Sequence, residues 1–123
     1  MIRVKRVYDP PEESDGVRVF VDRLWPRGLS KDEARIYLWL RDLAPSNELR
    51  RWFAHRPERW TEFKTRYYRE LPRCRAALEA IREFARSSTV TLLYAARDTR
   101  YNNAVALREY IERELASAGA AGG

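Results

Sequence analysis

The stretch Thr89-Val90-Thr91-Leu92-Leu93-Tyr94-Ala95 is a short run of β-branched and apolar residues. A near-continuous run of this kind is typical of a strand that is covered on both faces, so it predicts the centre of a sheet. Polar residues follow it directly, and a final helix is then predicted from about Asn102. The buried stripe of that helix would consist of Ala104, Leu107, Ile111 and Leu115.

Two further strands are predicted near the N-terminus. Residues 2–7 alternate, imperfectly, between apolar and basic side chains, and Val17, Val19 and Val21 alternate with other residues. The segment between them contains Pro10, Pro11, Asp15 and Gly16, which are typical of a loop. Residues 36–40 could form a short strand or an extended segment.

Helices are predicted between these strands and the central one. Ser30-Lys31-Asp32-Glu33 matches a capping box, and Ser46 is placed to cap a second helix. Pro57 is predicted to open a third helix, and another follows Pro72. The helix after Ser46 would have Leu49, Trp52 and Phe53 on its apolar face. The helix from Pro57 would have Trp60, Phe63, Tyr67 and Leu71 on that face, and the helix after Pro72 would have Cys74, Leu78, Ile81 and Ala85.

This order of elements predicts an α/β fold with a small, mostly parallel sheet and helices packed on it. A chain of 123 residues fits one domain. We assign that domain to residues 1–115 and expect the small-residue tail, residues 116–123, to be disordered.

Composition favours a folded protein of the cytoplasm. Hydrophobic residues make up 45% of the chain, yet no apolar run approaches the ~20 residues that cross a membrane. The N-terminus has no hydrophobic signal core, so export is not expected. The single cysteine, Cys74, agrees with a reducing compartment, and its helical neighbours favour a buried apolar residue over a reactive thiol.

The net charge of +6 and pI near 9.8 raise the question of nucleic-acid binding. The basic residues, however, are interleaved with Asp and Glu along the whole chain rather than gathered in one run. Weak, salt-sensitive binding to polyanions is therefore expected, without specific recognition.

Two polar clusters follow predicted strands, where ligands bind in open α/β sheets. The first is Asp22-Arg23-Leu24-Trp25-Pro26-Arg27-Gly28, and the second is Arg97-Asp98 with Asn102-Asn103. Guanidinium groups bind phosphate and carboxylate bidentately, which points to an anionic ligand. The candidate ligand-binding residues are Arg23, Trp25, Arg27, Arg97, Asp98 and Asn102, and the candidate catalytic residues are Asp22, Asp98 and His55.

Each of these residues also has a structural interpretation. Asp22 and Arg23 could form an ion pair, residues 26–28 a simple turn, and Asn102 the cap of the last helix. His55 could serve only at a helix entry, and the four tryptophans (Trp25, Trp39, Trp52 and Trp60) could belong to the core. One His and one Cys exclude tetrahedral zinc sites. The sequence has no Gly-rich phosphate loop and no nucleophile elbow, so neither a metal nor a cofactor is predicted.

Four ordered motifs resemble the YeaO-like family, domain of unknown function 488. They are residues 22–28, Trp39-Leu40-Arg41-Asp42-Leu43-Ala44-Pro45-Ser46, Leu49-Arg50-Arg51-Trp52-Phe53-Ala54-His55, and residues 91–98 with Asn102. The resemblance extends from about Ile2 to Glu114. It implies a bacterial or archaeal α/β domain of cytosolic type and no particular reaction.

The chain departs from the pattern of that family at four positions. Arg41 and Arg97 stand where lysine is common, Tyr37 where an acidic residue is usual, and Arg56 where aspartate often follows the histidine. The two arginines agree with the general arginine bias of this chain, in which 21 of 24 basic residues are arginine.

The leading functional hypothesis is a protein, with or without enzymatic activity, that binds a phosphate- or carboxylate-bearing metabolite such as a nucleotide. Arg23, Arg27 and Arg97 would hold the anion, while Asp22, Asp98 and Asn102 would position it. The alternatives are a nucleic-acid-binding accessory protein and a protein-interaction module, including a homodimer formed through one helix face.

Overall fold

Four parallel strands form one sheet in the computed structural model, which describes residues 1–122. The predicted α/β class is confirmed, and every strand pairing among the described residues is parallel. The strands lie in the order β1-β4-β2-β3. Their bounds are Ile2–Arg6 for β1, Val17–Phe20 for β2, Leu38–Trp39 for β3 and Val90–Tyr94 for β4.

Strand β4 is the predicted central strand, and all five of its residues are buried. Val90 lies opposite Ile2 of β1 on one side and Val17 of β2 on the other. The pairing continues beyond β2, because the Val21 N–H donates to the Leu93 carbonyl oxygen at 3.1 Å. The carboxyl ends of β1, β4 and β2 therefore reach the same edge of the sheet.

Within the part of the chain that the structure describes, five helices connect and cover the strands. The predicted N-caps are confirmed: Ser30 Oγ accepts from the Glu33 N–H, and Ser46 Oγ accepts from the Leu49 N–H, each at 3.1 Å. The helices are α1 (Lys31–Ala34), α2 (Asn47–Phe53), α3 (Trp60–Glu70), α4 (Arg75–Ser87) and α5 (Asn103–Gly122). Short 3-10 turns lie at Glu13–Asp15, Arg41–Leu43, Pro57–Arg59 and Leu71–Cys74.

Two sequence assignments change in detail. Pro57 begins a 3-10 turn that leads into α3 rather than the helix itself. Cys74 ends the turn before α4 and is half-buried, not fully buried, and its Sγ donates to the Asp42 carbonyl oxygen at 3.1 Å. Burial raises the pKa of this thiol, which disfavours the reactive thiolate. The disorder expected for residues 116–123 stays a prediction. Helix α5 extends to Gly122, and Gly123 lies outside the described residues.

The two faces of the sheet carry separate apolar clusters, because side chains alternate along each strand. Val19, Val21 and Leu92 belong to the larger cluster, which includes buried residues of α2, α3, α4 and α5. Phe20 and Leu93 belong to the smaller cluster, against which Leu29, Ile36 and Trp39 pack. The larger cluster therefore anchors the long helices, while residues of the β2–β3 connection cover part of the other face.

The tryptophans are half-buried rather than central to the core. Trp52 and Trp60 pack against the larger cluster and Trp39 against the smaller one. Trp25 meets Trp39 edge to face, with ring centroids 5.5 Å apart. All four thus have packing roles.

A buried polar network joins the N-terminal elements on the smaller-cluster side. Asp15 and Arg18 are 3% and 5% exposed, and Arg18 Nη1 donates to Asp15 Oδ2 at 2.6 Å. Lys5 Nζ contacts the same carboxylate at 3.1 Å. Arg18 also donates to the carbonyl oxygens of Ala34 and Arg35 at the end of α1. One guanidinium thereby joins β2, the preceding turn and α1.

We expect Asp15→Asn to lower the free energy of unfolding at neutral pH by about 3 kcal/mol, because the substitution leaves buried cations without their counter-charge. Burial alone would raise the pKa of Asp15, but hydrogen bonds from the Glu12 N–H, Lys5 and Arg18 lower it below its ordinary value of 3.8. The stabilisation is therefore complete above about pH 4 and is lost as the pH falls toward the folded-state pKa. Urea unfolding across this range should show the two proteins converging at low pH. Asp9→Asn, on the exposed loop, should leave stability unchanged, and an equal loss in both variants would contradict the role of Asp15.

Two glycines with positive φ offer a second test. A Cβ at Gly16 would lie 2.2 Å from the Thr89 carbonyl oxygen, whereas a Cβ at Gly28 would meet nothing within 4 Å. Gly28→Ala should cost about 1 kcal/mol of stability from backbone strain alone. Gly16→Ala should cost about 3 kcal/mol or more, since a backbone clash is added. Chemical denaturation measures both losses of stability. If Gly16→Ala and Gly28→Ala cost the same free energy of unfolding, residue 16 does not lie tightly against the Thr89 carbonyl group.

Candidate functional site

A cavity of about 360 Å³ opens beyond the carboxyl ends of β2 and β4. The chain leaves β2 toward α1 and β3, whereas it leaves β4 into α5, which packs against β1 and β4. The two connections diverge at this point, and such a crevice is where open parallel sheets bind ligands. The structure brings both predicted clusters to this edge. The polar residues that line the cavity are Asp22, Arg23, Arg27, Arg50, His55, Asn102 and Asn103.

Asp22 links the ends of the two strands to the last helix. Its Oδ2 accepts from the Ala95 N–H and its Oδ1 accepts from Asn103 Nδ2, each at 3.0 Å. Burial raises the pKa of Asp22 above its ordinary value, although these hydrogen bonds and the charge of Arg50 act in the opposite direction. The alternative interpretation of Asp22 and Arg23 as an ion pair does not hold, because no contact within 4.0 Å joins their charged groups. Each oxygen of Asp22 instead accepts one hydrogen bond from a neutral donor, Ala95 after β4 or Asn103 of α5.

The two asparagines at the start of α5 have different partners. Asn102 is 3% exposed, its Oδ1 accepts from the Val105 N–H at 2.9 Å, and its Nδ2 donates to the Asp98 carbonyl oxygen. It is thus the predicted helix cap while also lining the cavity. Asn103 Nδ2 donates both to Asp22 and to the Val21 carbonyl oxygen. Asn103 therefore orients the carboxylate of Asp22.

Three arginines line the cavity from different elements. Arg23 lies three residues after the end of β2, Arg27 lies in the next turn and Arg50 comes from α2. Arg23 Nη2 donates a long hydrogen bond, 3.4 Å, to the Pro45 carbonyl oxygen. Its Nε is buried and has no hydrogen-bond partner in the described part of the chain. Most of the five N–H groups of this guanidinium are therefore unused.

A tight turn presents Arg27. The Leu29 N–H donates to the Pro26 carbonyl oxygen at 3.4 Å, and Gly28 has a φ of 83°, the value that a type II turn requires at its third position. The Tyr8 hydroxyl donates to the Arg27 carbonyl oxygen at 2.9 Å, and Trp25 Nε1 donates to the Leu29 carbonyl oxygen. The turn that residues 26–28 predict thus fixes Arg27 at the edge of the cavity.

His55 lines the cavity, and the backbone that leads to it has an unusual conformation. Ala54 ends α2 with φ 48° and His55 follows with φ 54°, so two successive non-glycine residues are left-handed. The imidazole is exposed and lies near Phe53, with ring centroids 6.3 Å apart. His55 therefore lines the cavity and also lies just before the 3-10 turn that leads into α3.

Two predicted ligand-binding residues do not line the cavity. Arg97 is exposed. The Asp98 carboxylate instead accepts from the N–H groups of Arg100 and Tyr101, and these bonds hold its pKa below the ordinary value. The role of Asp98 visible here is to shape the turn that leads into α5.

Residues from elsewhere in the chain complete the cavity. Arg50 and Asn103 were not among the predicted ligand contacts, although both lie in or beside motifs that we had singled out. Apolar and aromatic side chains form much of the remaining wall: Tyr8, Trp25, Pro26, Phe53, Phe63 and Tyr101. Arg50 lies on α2, about 40 residues before β4 in the sequence. No local sequence pattern therefore indicates that its side chain lines a cavity at the end of β4.

Two further features bear on the class of protein. Within residues 1–122, no group of three or more His, Cys, Asp or Glu side chains is arranged to hold a metal ion. No described helix is long and apolar enough to pass through a lipid bilayer. The fold and site define a small parallel α/β domain with an arginine-lined cavity at its strand ends.

The chain belongs to the family described as the inactive DUF488-N3 subclade, whose model matches residues 1–122. It is 44% identical to the uncharacterised protein Rv3073c of Mycobacterium tuberculosis strain H37Rv, over 89% of this chain and 92% of that protein. It is 38% identical to the uncharacterised protein YeaO of Escherichia coli strain K12, over 89% of this chain and 96% of that protein. No solved structure matches it. The resemblance to the YeaO-like family is therefore confirmed.

The left-handed residue at the end of α2 can be tested directly. We expect Ala54→Gly to raise the free energy of unfolding by about 0.5–1 kcal/mol, because glycine adopts this conformation without Cβ strain. Ala80→Gly, within α4, should lower it by about 1 kcal/mol. Thermal and urea unfolding would measure both, and a destabilised Ala54→Gly protein would rule out strain at this position.

Proposed function

We propose that this protein binds a small anionic metabolite in the cavity and does not act by covalent catalysis. The observation that carries the proposal is the state of Arg23, Arg27 and Arg50. None of the three has a carboxylate partner within 4.0 Å among the described residues. Unpaired guanidinium groups that surround one cavity are suited to a phosphate or carboxylate.

Some basic residues of the described chain are paired with a carboxylate and others are not, so what distinguishes these three arginines is that they share one cavity. Arg18 pairs with Asp15, Lys64 with Glu109 and Arg86 with Glu83. The cavity has three guanidinium groups and one carboxylate, Asp22, so it carries an excess of positive charge. This local excess supports an anionic ligand more strongly than the overall charge of the chain does.

The size and the apolar walls of the cavity support an organic ligand rather than a bare inorganic ion. A volume near 360 Å³ lies in the range of small-molecule sites. Trp25, Phe53 and Phe63 offer aromatic surface to the body of such a ligand. A few charged groups on mostly apolar walls are the usual composition of metabolite sites.

The residues around the cavity favour binding over catalysis. Ala95 and Ala96 follow β4, and no Ser, Thr or Cys is among the described residues that line the cavity. Asp22 is engaged in hydrogen bonds from Ala95 and Asn103, and Asp98 is engaged in a turn. The description of the family as inactive agrees with this interpretation. Arg50 takes the place that Arg97 held in the hypothesis from sequence.

Nucleic-acid binding, homodimerisation and a cytoplasmic location stay predictions. Nucleic-acid binding predicts a steep loss of affinity as the salt concentration rises, because it depends on contacts with phosphate groups. Salt dependence therefore separates it from a specific anion site.

A thermal-shift screen of nucleotides, sugar phosphates and small carboxylates, at low and high salt, tests the proposal. At least one compound should raise the melting temperature at both salt concentrations. Arg27→Ala and Arg50→Ala should each weaken its binding by roughly ten-fold or more, since a hydrogen bond to a charged group contributes about 1.5–3 kcal/mol.

Arg51→Ala is the matched control, because Arg51 is exposed on the same helix but does not line the cavity. Its affinity should equal that of the unaltered protein. The absence of any shift, or a shift that salt removes equally in all variants, would refute the anion site and favour nucleic acid or a protein partner.

A further inference from the structure

Opposite charges share the cavity without neutralising each other. Asp22 and the three arginines all line it, yet no carboxylate oxygen of Asp22 lies within 4.0 Å of a guanidinium nitrogen in the described chain. Arg50 is nevertheless close enough for its charge to act on Asp22. A ligand with only negative charge would use the arginines and leave the Asp22 carboxylate without a cationic partner.

Asp22 also has unused capacity as an acceptor. A carboxylate offers about four lone-pair sites, and Asp22 receives only the two hydrogen bonds from Ala95 and Asn103. Both donors are neutral amides. Buried carboxylates are ordinarily paired with a cation, as Asp15 is with Arg18 and Lys5 in this same protein. Asp22, which is half-buried, has no such partner within residues 1–122.

We propose that the ligand is an amine-bearing anion, with its amine on Asp22 and its anionic group on the arginines. This inference rests on the proposed function and adds the chemical class of the ligand. The anionic group is a carboxylate or a phosphate, both of which guanidinium groups bind. The aromatic walls contributed by Trp25, Phe53 and Phe63 accommodate an apolar body between or beside the two groups. Asp22 is the specificity-determining residue.

Pairs of compounds that differ only in the amino group test the proposal on the unaltered protein. L-phenylalanine with 3-phenylpropionate forms the carboxylate pair, and O-phosphoethanolamine with ethyl phosphate forms the phosphate pair. Titration calorimetry should show that the amine-bearing member of at least one pair binds about ten-fold tighter or more, as expected for a charge-assisted hydrogen bond to a half-buried carboxylate. Equal affinities within both pairs would overturn the proposal without any variant.

The Asp22→Asn variant then tests whether Asp22 is the source of the preference for amine-bearing ligands. The asparagine oxygen can still accept from the Ala95 N–H, but the charge is removed. We expect the preference to fall to within about three-fold, while the amine-free member binds at least as well as before, because a repulsive charge has been removed. Asp42→Asn, an exposed aspartate outside the cavity, should keep the full preference. Circular dichroism would verify that each variant is folded.

The two proposals fail in different ways. If amine-free anions bind and Arg50→Ala weakens them, but the amino group has no effect, the anion site stands and the amine subsite is refuted. If the preference for amines survives in a folded Asp22→Asn protein, Asp22 is not its source and this inference is overturned. If no member of either pair binds while an amine-free compound of the thermal-shift screen does, the anion site stands and the amine subsite is overturned.

Discussion

The pairing of β4 with strands on both of its edges is the constraint from which the rest of the structure follows. A strand in this position is shielded by neighbouring strands at its edges and by side-chain clusters on both faces, so its residues are buried and mostly apolar. Its buried threonine, Thr91, donates its hydroxyl hydrogen to the Asp15 carbonyl oxygen. Because β1 and β2 run parallel to it, their ends coincide at one edge. The polar residues that terminate β2 and β4 are brought together for this reason alone.

Asp15, which is buried, and Asp22, which is half-buried, illustrate different solutions to the same physical problem. Asp15 is surrounded by Lys5 and Arg18, and its pKa lies below the ordinary value. Asp22 receives hydrogen bonds from amides only, and burial raises its pKa. The first arrangement is complete within the protein and joins elements of the fold. The second leaves capacity for a charged partner, and it does so beside a cavity.

The sequence predicts the elements of the fold well because their signals are local. The uniform run at 90–94 marks the central strand, and Ser30 and Ser46 identify two helix starts through their own side chains. Strand order is a property of distant pairings, so no local pattern specifies that β4 lies between β1 and β2. The left-handed backbone at Ala54 is likewise invisible, since alanine normally favours helical φ.

The site could be predicted in part for the same reason. Arg23, Trp25, Arg27 and Asn102 line the cavity because each closely follows a strand that ends at the shared edge. Arg97 also follows β4, but the Asp98 turn comes next and Arg97 is exposed outside the cavity. Arg50 reaches the cavity from α2 through tertiary packing. Position after a strand therefore indicates the right edge of the sheet, while the direction of each side chain depends on the turn that follows.

The insertion of β4 between two strands made much earlier has a consequence for biosynthesis. β1 and β2 emerge from the ribosome without the strand that lies between them. About 70 residues of synthesis separate β2 from β4, which at ~5–20 residues per second lasts about 4–14 s. During that interval the edges of β1 and β2 that will pair with β4 have no strand beside them, and unpaired strand edges are surfaces through which chains aggregate. Because the chain is synthesised from its N-terminus, β1 and β2 cannot complete their pairing until the last third of the chain has been made.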